Sequence, residues 1–391
     1  MQEKIENKKI ILEVENLTCK FNENHENEVV AVDNFSFQFE ENKIYFIIGN
    51  SGSGKSTLVA HFNGLIKSKK GDIRIDDFHI YGKKRKIKNT KKLRRLISMV
   101  FQFPEYQLFK NTIEKDISFG PLTLKIPSKK AEELNKQVVE KIIFKNYLNE
   151  IIIFFDAKKD NYTNLQDFIN KNKLDLKLQV KSGKNFAKVI VKNDSEKKWI
   201  KKISYESTSE SQYLQNLCKK YLLRMGLDES FLERSPFGLS GGQKRRVAIA
   251  GILAIEPKIL IFDEPTAGLD PRGEQEMMKI ILDAKENKQT VIVITHTMDH
   301  VLEIADHVIV LDQGKILMHG TPYQIFTNKN LYLNSKMEKP KIIDFIDSLC
   351  EKDKRFISLY DKKPRTVEEL SKDIEEILSS SKKIQIKKKS K

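Results

Sequence analysis

Apolar and polar positions alternate through "KKIILEVENLTCKF" and "EVVAVDNFSFQF", and a period of two predicts two half-buried strands. "KIYFIIG" replaces that rhythm with an unbroken apolar run, the pattern of a strand covered on both faces. It leads straight into a glycine-rich loop. A helix is expected next, over Lys55–Ile66. Between Asn89 and Leu122, the strand "LISMVFQ" precedes a proline-marked loop. "SKKAEELNKQVVEKI" then shows helical spacing behind a serine cap. From about residue 144 to 217 the character changes. "LDLKLQVKSGKNFAKVIVK" alternates around a Ser-Gly turn and predicts a hairpin, and helical spacing resumes at "LQNLCKKYLLRMGL". There follow strand "KILIFDE", helix "GEQEMMKIILDAKEN", strand "TVIVITH", helix "MDHVLEIA" and strand "HVIVLD". Alternating strand and helix imply a mostly parallel sheet covered on both faces. From about Asn328 the chain is lysine-rich and ends "KKIQIKKKSK", expected to be partly helical and then disordered.

Composition changes this picture little. At 391 residues the chain exceeds one ordinary compact domain, so a main domain with additions is expected. No apolar run approaches the roughly 18 residues of a membrane-spanning helix, and "MQEKIENKK" lacks the apolar stretch of a signal peptide. Cys19, Cys218 and Cys350 lie too far apart for a disulfide framework or a zinc site, which points to a cytosolic compartment. The net charge of +16 is compatible with nucleic acid or an anionic membrane surface. Lysine is abundant throughout, however, so the basic run Lys67–Arg95 reads equally well as a solvated face.

The candidate chemistry is more specific. Gly49, Asn50, Ser51, Gly52, Ser53, Gly54, Lys55 and Ser56 fit G-x-x-x-x-G-K-[ST] between a buried strand and a helix. Such a loop answers the charge of a triphosphate with backbone N–H groups from Gly52 to Thr57, at a helix end carrying about half a positive charge. Lys55 reaches the β and γ phosphates, and the Ser56 hydroxyl can ligate Mg²⁺. Asp263 and Glu264 end a strand on the sheet edge where such folds bind ligands. Asp263 is expected to hold the Mg²⁺ and Glu264 to polarise the attacking water. Gln102 ends another strand, within reach of the metal or the water, and His296 ends a third, within reach of the γ phosphate. The helix "GLSGGQKRRVAIAG" opens on Gly241-Gly242, although each helical glycine costs about 1 kcal/mol relative to alanine. With Ser240 as cap, its N–H groups could meet a phosphate closely. The chain's own loop already surrounds one side of its ATP. Ser240, Gly241, Gly242 and Gln243 would then close the nucleotide of a second subunit docked head to tail.

Phosphate loop, Gln102, LSGGQ, "ILIFDE", "AGLD" and His296 stand in the order of ATP-binding-cassette ATPases, and the chain resembles that family from about Ile10 to Phe326, outside the inserted segment. The resemblance implies an α/β P-loop fold with a mostly parallel sheet, an antiparallel β subdomain and a helical subdomain. It divides the chain into a first cassette part (10–143), an insertion without assigned role (144–217), a second cassette part (218–327) and a basic C-terminal extension (328–391). It places Phe21 against adenine, with a core phenylalanine as the alternative, and Asp270 in the loop that communicates between two nucleotide sites. "VFQFPEYQLF", "DISFGP" and "SPFGLSGGQKRRVAIAGILAIEP" resemble the ATPases of energy-coupling factor transporters, importers of vitamins and transition-metal ions. The second of their two ATPase types is the better match. The resemblance implies ATP and Mg²⁺ and a second ATPase as partner, a heterodimer with a homodimer left open. It further implies a transmembrane coupling protein, a membrane-embedded substrate-capture protein and a peripheral position on the cytoplasmic side of the cell membrane. Phe103, Tyr106, Leu108 and Phe109 suit a groove for a partner's coupling helix, or else pack the helical subdomain. The basic tail suits either a lipid contact or a solvated end. A soluble cassette ATPase acting on nucleic acid is the competing reading. It suits the charge but expects long heptad repeats, which the insertion lacks, so no nucleic-acid partner is expected. A regulatory protein that binds ATP without hydrolysing it would need a damaged site, whereas Lys55, Glu264 and His296 are all present.

Overall fold

The structure is a computed structural model. It describes residues 9–67, 69–82, 87, 89–124, 126, 143–147, 150–154, 179–181, 186–190, 210–333 and 337–389, with backbone alone for 143–147, 150–154, 179–181, 186–190, 210–213, 333 and 380–389. The helix expected over 128–142 and most of segment 144–217 lie outside these residues. The chain divides into two compact units, Met1–Pro104 with Glu256–Lys391, and Glu105–Ile255.

The first unit holds two sheets. Strands β1 (Ile10–Phe21), β2 (Val29–Glu40), β4 (Lys70–Ile75) and β5 (Phe78–Tyr81) form an antiparallel sheet in the order β2-β1-β4-β5. The predicted alternation of β1 holds through Leu12 and Val14 and then slips. Asn16 takes a left-handed φ of 50°, and the register with β2 shifts before Leu17. The second sheet runs β14-β13-β3-β12-β11-β6, from β3 (Ile44–Ile48), β6 (Ile97–Val100), β11 (Ile259–Asp263), β12 (Thr290–Ile294), β13 (His307–Asp312) and β14 (Lys315–Gly320). All its neighbours pair parallel except β13 with β14. Every residue of β3 and β12 is buried, which is why these strands read as continuous apolar runs. Helix α1 (Lys55–Phe62) packs Leu58, Val59 and Phe62 into the shared core, where the Phe62 ring meets Phe39 at 5.7 Å. It stops four residues short of the expected Ile66. Gly64 takes a φ of 72° and Leu65 N–H turns back onto Ala60 O, a left-handed stop that glycine permits. Helix α2 (Thr90–Leu96), capped by Asn89, occupies a stretch where no helix was expected. It buries only Leu93, too little for a periodic signal.

The second unit contains helices α3 (Ile113–Thr123), α4 (Glu210–Arg224) and α5 (Gly241–Leu253), packed on one another. Glycines let α3 and α5 approach: a Cβ at Gly120 would lie 3.0 Å from the Ile255 side chain, and one at Gly251 would lie 3.6 Å from Ile117 Cα. In the inserted segment, β7 (Ile143–Tyr147), β8 (Glu150–Phe154), β9 (Gln179–Lys181) and β10 (Phe186–Ile190) form a third, antiparallel sheet in the order β7-β8-β10-β9. The expected hairpin corresponds to the β9–β10 pair.

The remaining helices complete the first unit: α6 (Pro271–Glu286), α7 (Met298–Ile304), α8 (Pro322–Phe326), α9 (Lys329–Leu333), α10 (Lys341–Lys352), α11 (Leu359–Lys362) and α12 (Val367–Lys389). The expected disordered end is corrected here, since the tail is helical through Lys389. Ile346, Phe356, Leu359 and Leu370 form a small core of their own, with Ile374 and Ile377 packed against it. Among the described residues no helix is long and apolar enough to cross a membrane, and the three cysteines are free.

Candidate functional site

The parallel strand order explains how distant residues meet. Neighbours β3, β12, β11 and β6 all deliver their C-terminal ends to one edge. The phosphate loop leaves β3 there, His296 follows β12, Asp263 ends β11 with Glu264 next, and Gln102 follows β6. Of these, Lys55, Ser56, Asp263, Glu264 and His296 are linked by observed contacts or by their mutual charge.

In the phosphate loop, Gly49, Asn50, Ser51, Gly52, Ser53, Gly54, Lys55, Ser56 and Thr57 run from β3 into the first turn of α1. Gly49 and Gly54 are confined by the backbone around them. A Cβ at Gly49 would fall 2.1 Å from Leu311 O and one at Gly54 2.0 Å from Ala31 O, with φ values of 149° and 97°. The Lys55 ammonium donates to Gly49 O at 2.8 Å and Asn50 O at 3.0 Å, folding over its own loop. Burial holds its pKa below the usual lysine value, while Glu264 and Asp263 pull it back up. Ser53 is buried, and its hydroxyl has no partner among the described residues.

The Ser56 hydroxyl donates to Asp263 Oδ1 across 3.4 Å. Burial pushes the Asp263 carboxyl above the ordinary carboxylate range, against the lowering pull of Ser56 and Lys55. Glu264 adopts a left-handed φ of 50° while its N–H still pairs with Ile294 O at 2.9 Å. A glutamate in that region is strained, and the sheet on one side and Pro265 on the other over-determine it. His296 Nδ1 lies 2.8 Å from Glu264 Oε2 and donates to it. The imidazole side chain is 75% exposed and the carboxylate 21%. No local sequence signal marks this pair. The two residues stand 32 apart in sequence, and only the β11–β12 register brings them together.

Gln102 is exposed just beyond β6. Phe21 ends β1 with 41% of its surface open, so the core alternative does not describe it. Asp270 caps α6, its carboxylate accepting from Gly273 N–H at 2.7 Å. In the second unit, Ser240 and Gln243 form a reciprocal capping box at the start of α5. Gln243 N–H donates to Ser240 Oγ at 3.4 Å, and Ser240 N–H donates to Gln243 Oε1 at 3.0 Å. Gly241 and Gly242 differ from the loop glycines. Neither has a positive φ, and a Cβ on either would meet nothing within 4 Å among the described residues. Nothing among the described residues requires them to be glycine. No group of three metal-ligating side chains occurs among the described residues.

The ABC transporter family profile matches residues 32–267. The energy-coupling factor transporter ATP-binding protein EcfA2 of Mycoplasmoides gallisepticum is 44% identical over 376 residues, covering 95% of this chain and 92% of that protein. The protein of the same description from Mycoplasma pneumoniae is 44% identical over 361 residues, covering 92% of each. Among solved structures, cbiO1 from Clostridium perfringens, part of the ABC transporter complex cbiONQ, aligns with a TM-score of 0.53 and 26% identity, over 90% of this chain and 99% of that one. None of these relatives is described as acting on nucleic acid, so the competing reading has no support.

Proposed function

The chain belongs to the energy-coupling factor transporter ATP-binding proteins within the ABC transporter family, and from that premise we propose how its residues carry out ATP hydrolysis for transport. The observation that carries the proposal is the convergence of Lys55, Ser56, Asp263, Glu264 and His296 on one sheet edge. Backbone N–H groups of the loop and the Lys55 ammonium hold the triphosphate, and the unpartnered Ser53 hydroxyl suits a phosphate oxygen. The exposed Phe21 ring stacks on adenine. The residues also fit a divalent cation. A serine hydroxyl and a carboxylate lie 3.4 Å apart, and the carboxyl is pushed up by burial, so added positive charge there is favourable. Ser56, Asp263 and Gln102 would hold Mg²⁺, which when bound neutralises charge across the β and γ phosphates. Glu264 orients the attacking water and accepts its hydrogen bond. His296 holds the carboxylate through Nδ1–H, and in its doubly protonated form, the one with an N–H on each ring nitrogen, it also donates from Nε2 to a γ-phosphate oxygen.

The second wall of the nucleotide comes from a paired ATPase, whose helix presents its own Ser-Gly-Gly-Gln. This chain offers Ser240, Gly241, Gly242 and Gln243 in return, and the open space around the two glycines supports that reading. Asp270 lies at the head of α6 to carry the state of one site to the other. A transmembrane coupling protein and a substrate-capture protein move the cargo, of the vitamin or transition-metal class, from a peripheral position of this chain on the cytoplasmic side. In the second unit Tyr106, 84% exposed, and the edge-to-face pair Phe109–Phe119 at 4.9 Å supply the apolar surface for the coupling helix. The test is Glu264→Gln in the purified transporter complex. ATP binding stays within about twofold while turnover falls roughly 10²–10⁴-fold. Turnover at the original rate refutes the assignment of Glu264. Gly242→Asp separates the second wall: ATP binding to the isolated chain stays intact while hydrolysis in the complex is lost.

A further inference from the structure

We infer that Asp299, through its hydrogen bond to the backbone of Lys341, positions His296 for hydrolysis; the inference rests on the role given to His296 above. Helix α7 starts two residues after His296 and is only seven residues long. Helices so short are marginal on their own, and Thr297 at its head provides no side-chain cap. Its apolar face, Met298, Val301, Leu302 and Ile304, is buried. Its two ends are tied to the chain beyond residue 340. At the head, Asp299 Oδ1 accepts from Lys341 N–H at 2.7 Å. At the foot, the Arg365 guanidinium donates to Ala305 O at 2.9 Å.

These ties are anchored. Lys341 opens α10, whose Ile343 and Ile346 are fully buried. Its N–H is one of the helix-start donors without an intrahelical partner, so Asp299 fills a demand that α10 creates. Arg365 follows Pro364, whose carbonyl accepts from the Tyr323 hydroxyl at 2.5 Å, and Arg365 N–H donates to Glu369 Oε2 at 2.7 Å. The His296 side chain is largely exposed, and its ring reaches Glu264 from a segment whose direction is set by the helix it enters. Displacing the head of α7 therefore displaces His296 Nδ1 from Glu264 Oε2. The accompanying Lys341 Nζ–Asp299 Oδ2 pair, at 3.4 Å with a lysine 92% exposed, contributes little. The backbone N–H does the positioning.

That distinction supplies the test, made on the full chain in its purified transporter complex. Lys341→Pro deletes the donor at a helix position where proline is favoured, and Pro340, with φ −55° and ψ 136°, already has the backbone that a residue before proline requires. Asp299→Ala and Lys341→Pro are each expected to lower kcat roughly tenfold, with KM for ATP changing less than about twofold. The double variant is expected to be no slower than either alone, because both remove one hydrogen bond. Asp299→Asn, whose amide oxygen still accepts, and Lys341→Ala, which keeps its N–H, are expected to turn over as the original protein does. His296→Ala is measured alongside. If His296→Ala leaves turnover unchanged, the role of His296 falls and the inference with it. If His296→Ala abolishes turnover while Asp299→Ala and Lys341→Pro stay at full rate, the role stands and the positioning inference is overturned. Asp299→Asn as slow as Asp299→Ala overturns it as well.

Discussion

Replacing Gly242 with alanine should strengthen the isolated chain and cripple the assembled one. Gly242 is the second residue of α5, its φ is not positive, and an added Cβ has no heavy atom of the described residues within 4 Å. Strain and overlap therefore cost nothing, and what remains is helix propensity. Alanine gains up to about 1 kcal/mol over glycine in a helix interior, and about half that in the first turn. A gain of about 0.5 kcal/mol raises the melting temperature by roughly 1 °C in a chain of this size. Hydrolysis should move the other way. An N–H donor meets a phosphate oxygen at about 2.9 Å between heavy atoms, closer than a methyl carbon can approach. The partner's nucleotide is then held back by a substantial fraction of an ångström, and turnover falls on the order of 10²-fold. Thermal melts of the isolated chain and ATP turnover of the purified complex read the two effects separately. A lower melting temperature would mean that the chain itself needs the glycine. Unchanged turnover would mean that nothing approaches it. Either result refutes the reasoning.

Three further outcomes are expected. His61 is 1% exposed, and burial lowers its pKa below the ordinary histidine value of 6.5, against the raising effect of its bond to Thr57 O. Its neutral form is thus the folded form, and its contribution to stability is complete above about pH 6.5 and is lost as pH falls toward the lowered value. His61→Gln should flatten denaturant midpoints measured between about pH 5 and 7, and an unchanged slope would exclude His61 as the source. Ile346→Ala empties a fully buried position in the C-terminal cluster and should cost about 2–5 kcal/mol, with protease cleavage appearing between residues 341 and 389. Loss of Phe109, half exposed and set edge-to-face against Phe119 under the Lys110 ammonium, should cut co-purification with the membrane subunits while the chain's melting temperature stays within about 2 °C. Intact assembly and transport would remove the coupling groove from that surface.

Which parts of this protein could be read from its sequence follows from the range of the interactions involved. Strands β3, β11 and β12 are legible because a strand buried on both faces must be apolar at nearly every position. The phosphate loop is legible because its glycines, lysine and serine form one local pattern, although the backbone that excludes a Cβ at Gly49 and Gly54 comes from Leu311 and Ala31, far along the chain. The stop of α1 depends on the left-handed turn at Gly64, which a periodicity of apolar residues passes over. The tail looked solvated because lysine dominates its composition. Leu370, Ile374 and Ile377 nevertheless recur at helical spacing and meet Ile346 and Leu359, a surface that becomes apolar only when both segments fold. The same holds for the chemistry. Sequence marks Glu264 and His296 as separate candidates on separate strands, and their 2.8 Å contact exists only because β12 lies beside β11. The Asp299–Lys341 bond, 42 residues apart, is further still from any local signal. Residue types announce which groups can react, whereas the lateral order of parallel strands decides which of them meet. A substitution that left every motif intact but exchanged the neighbours of β12 would therefore abolish the site.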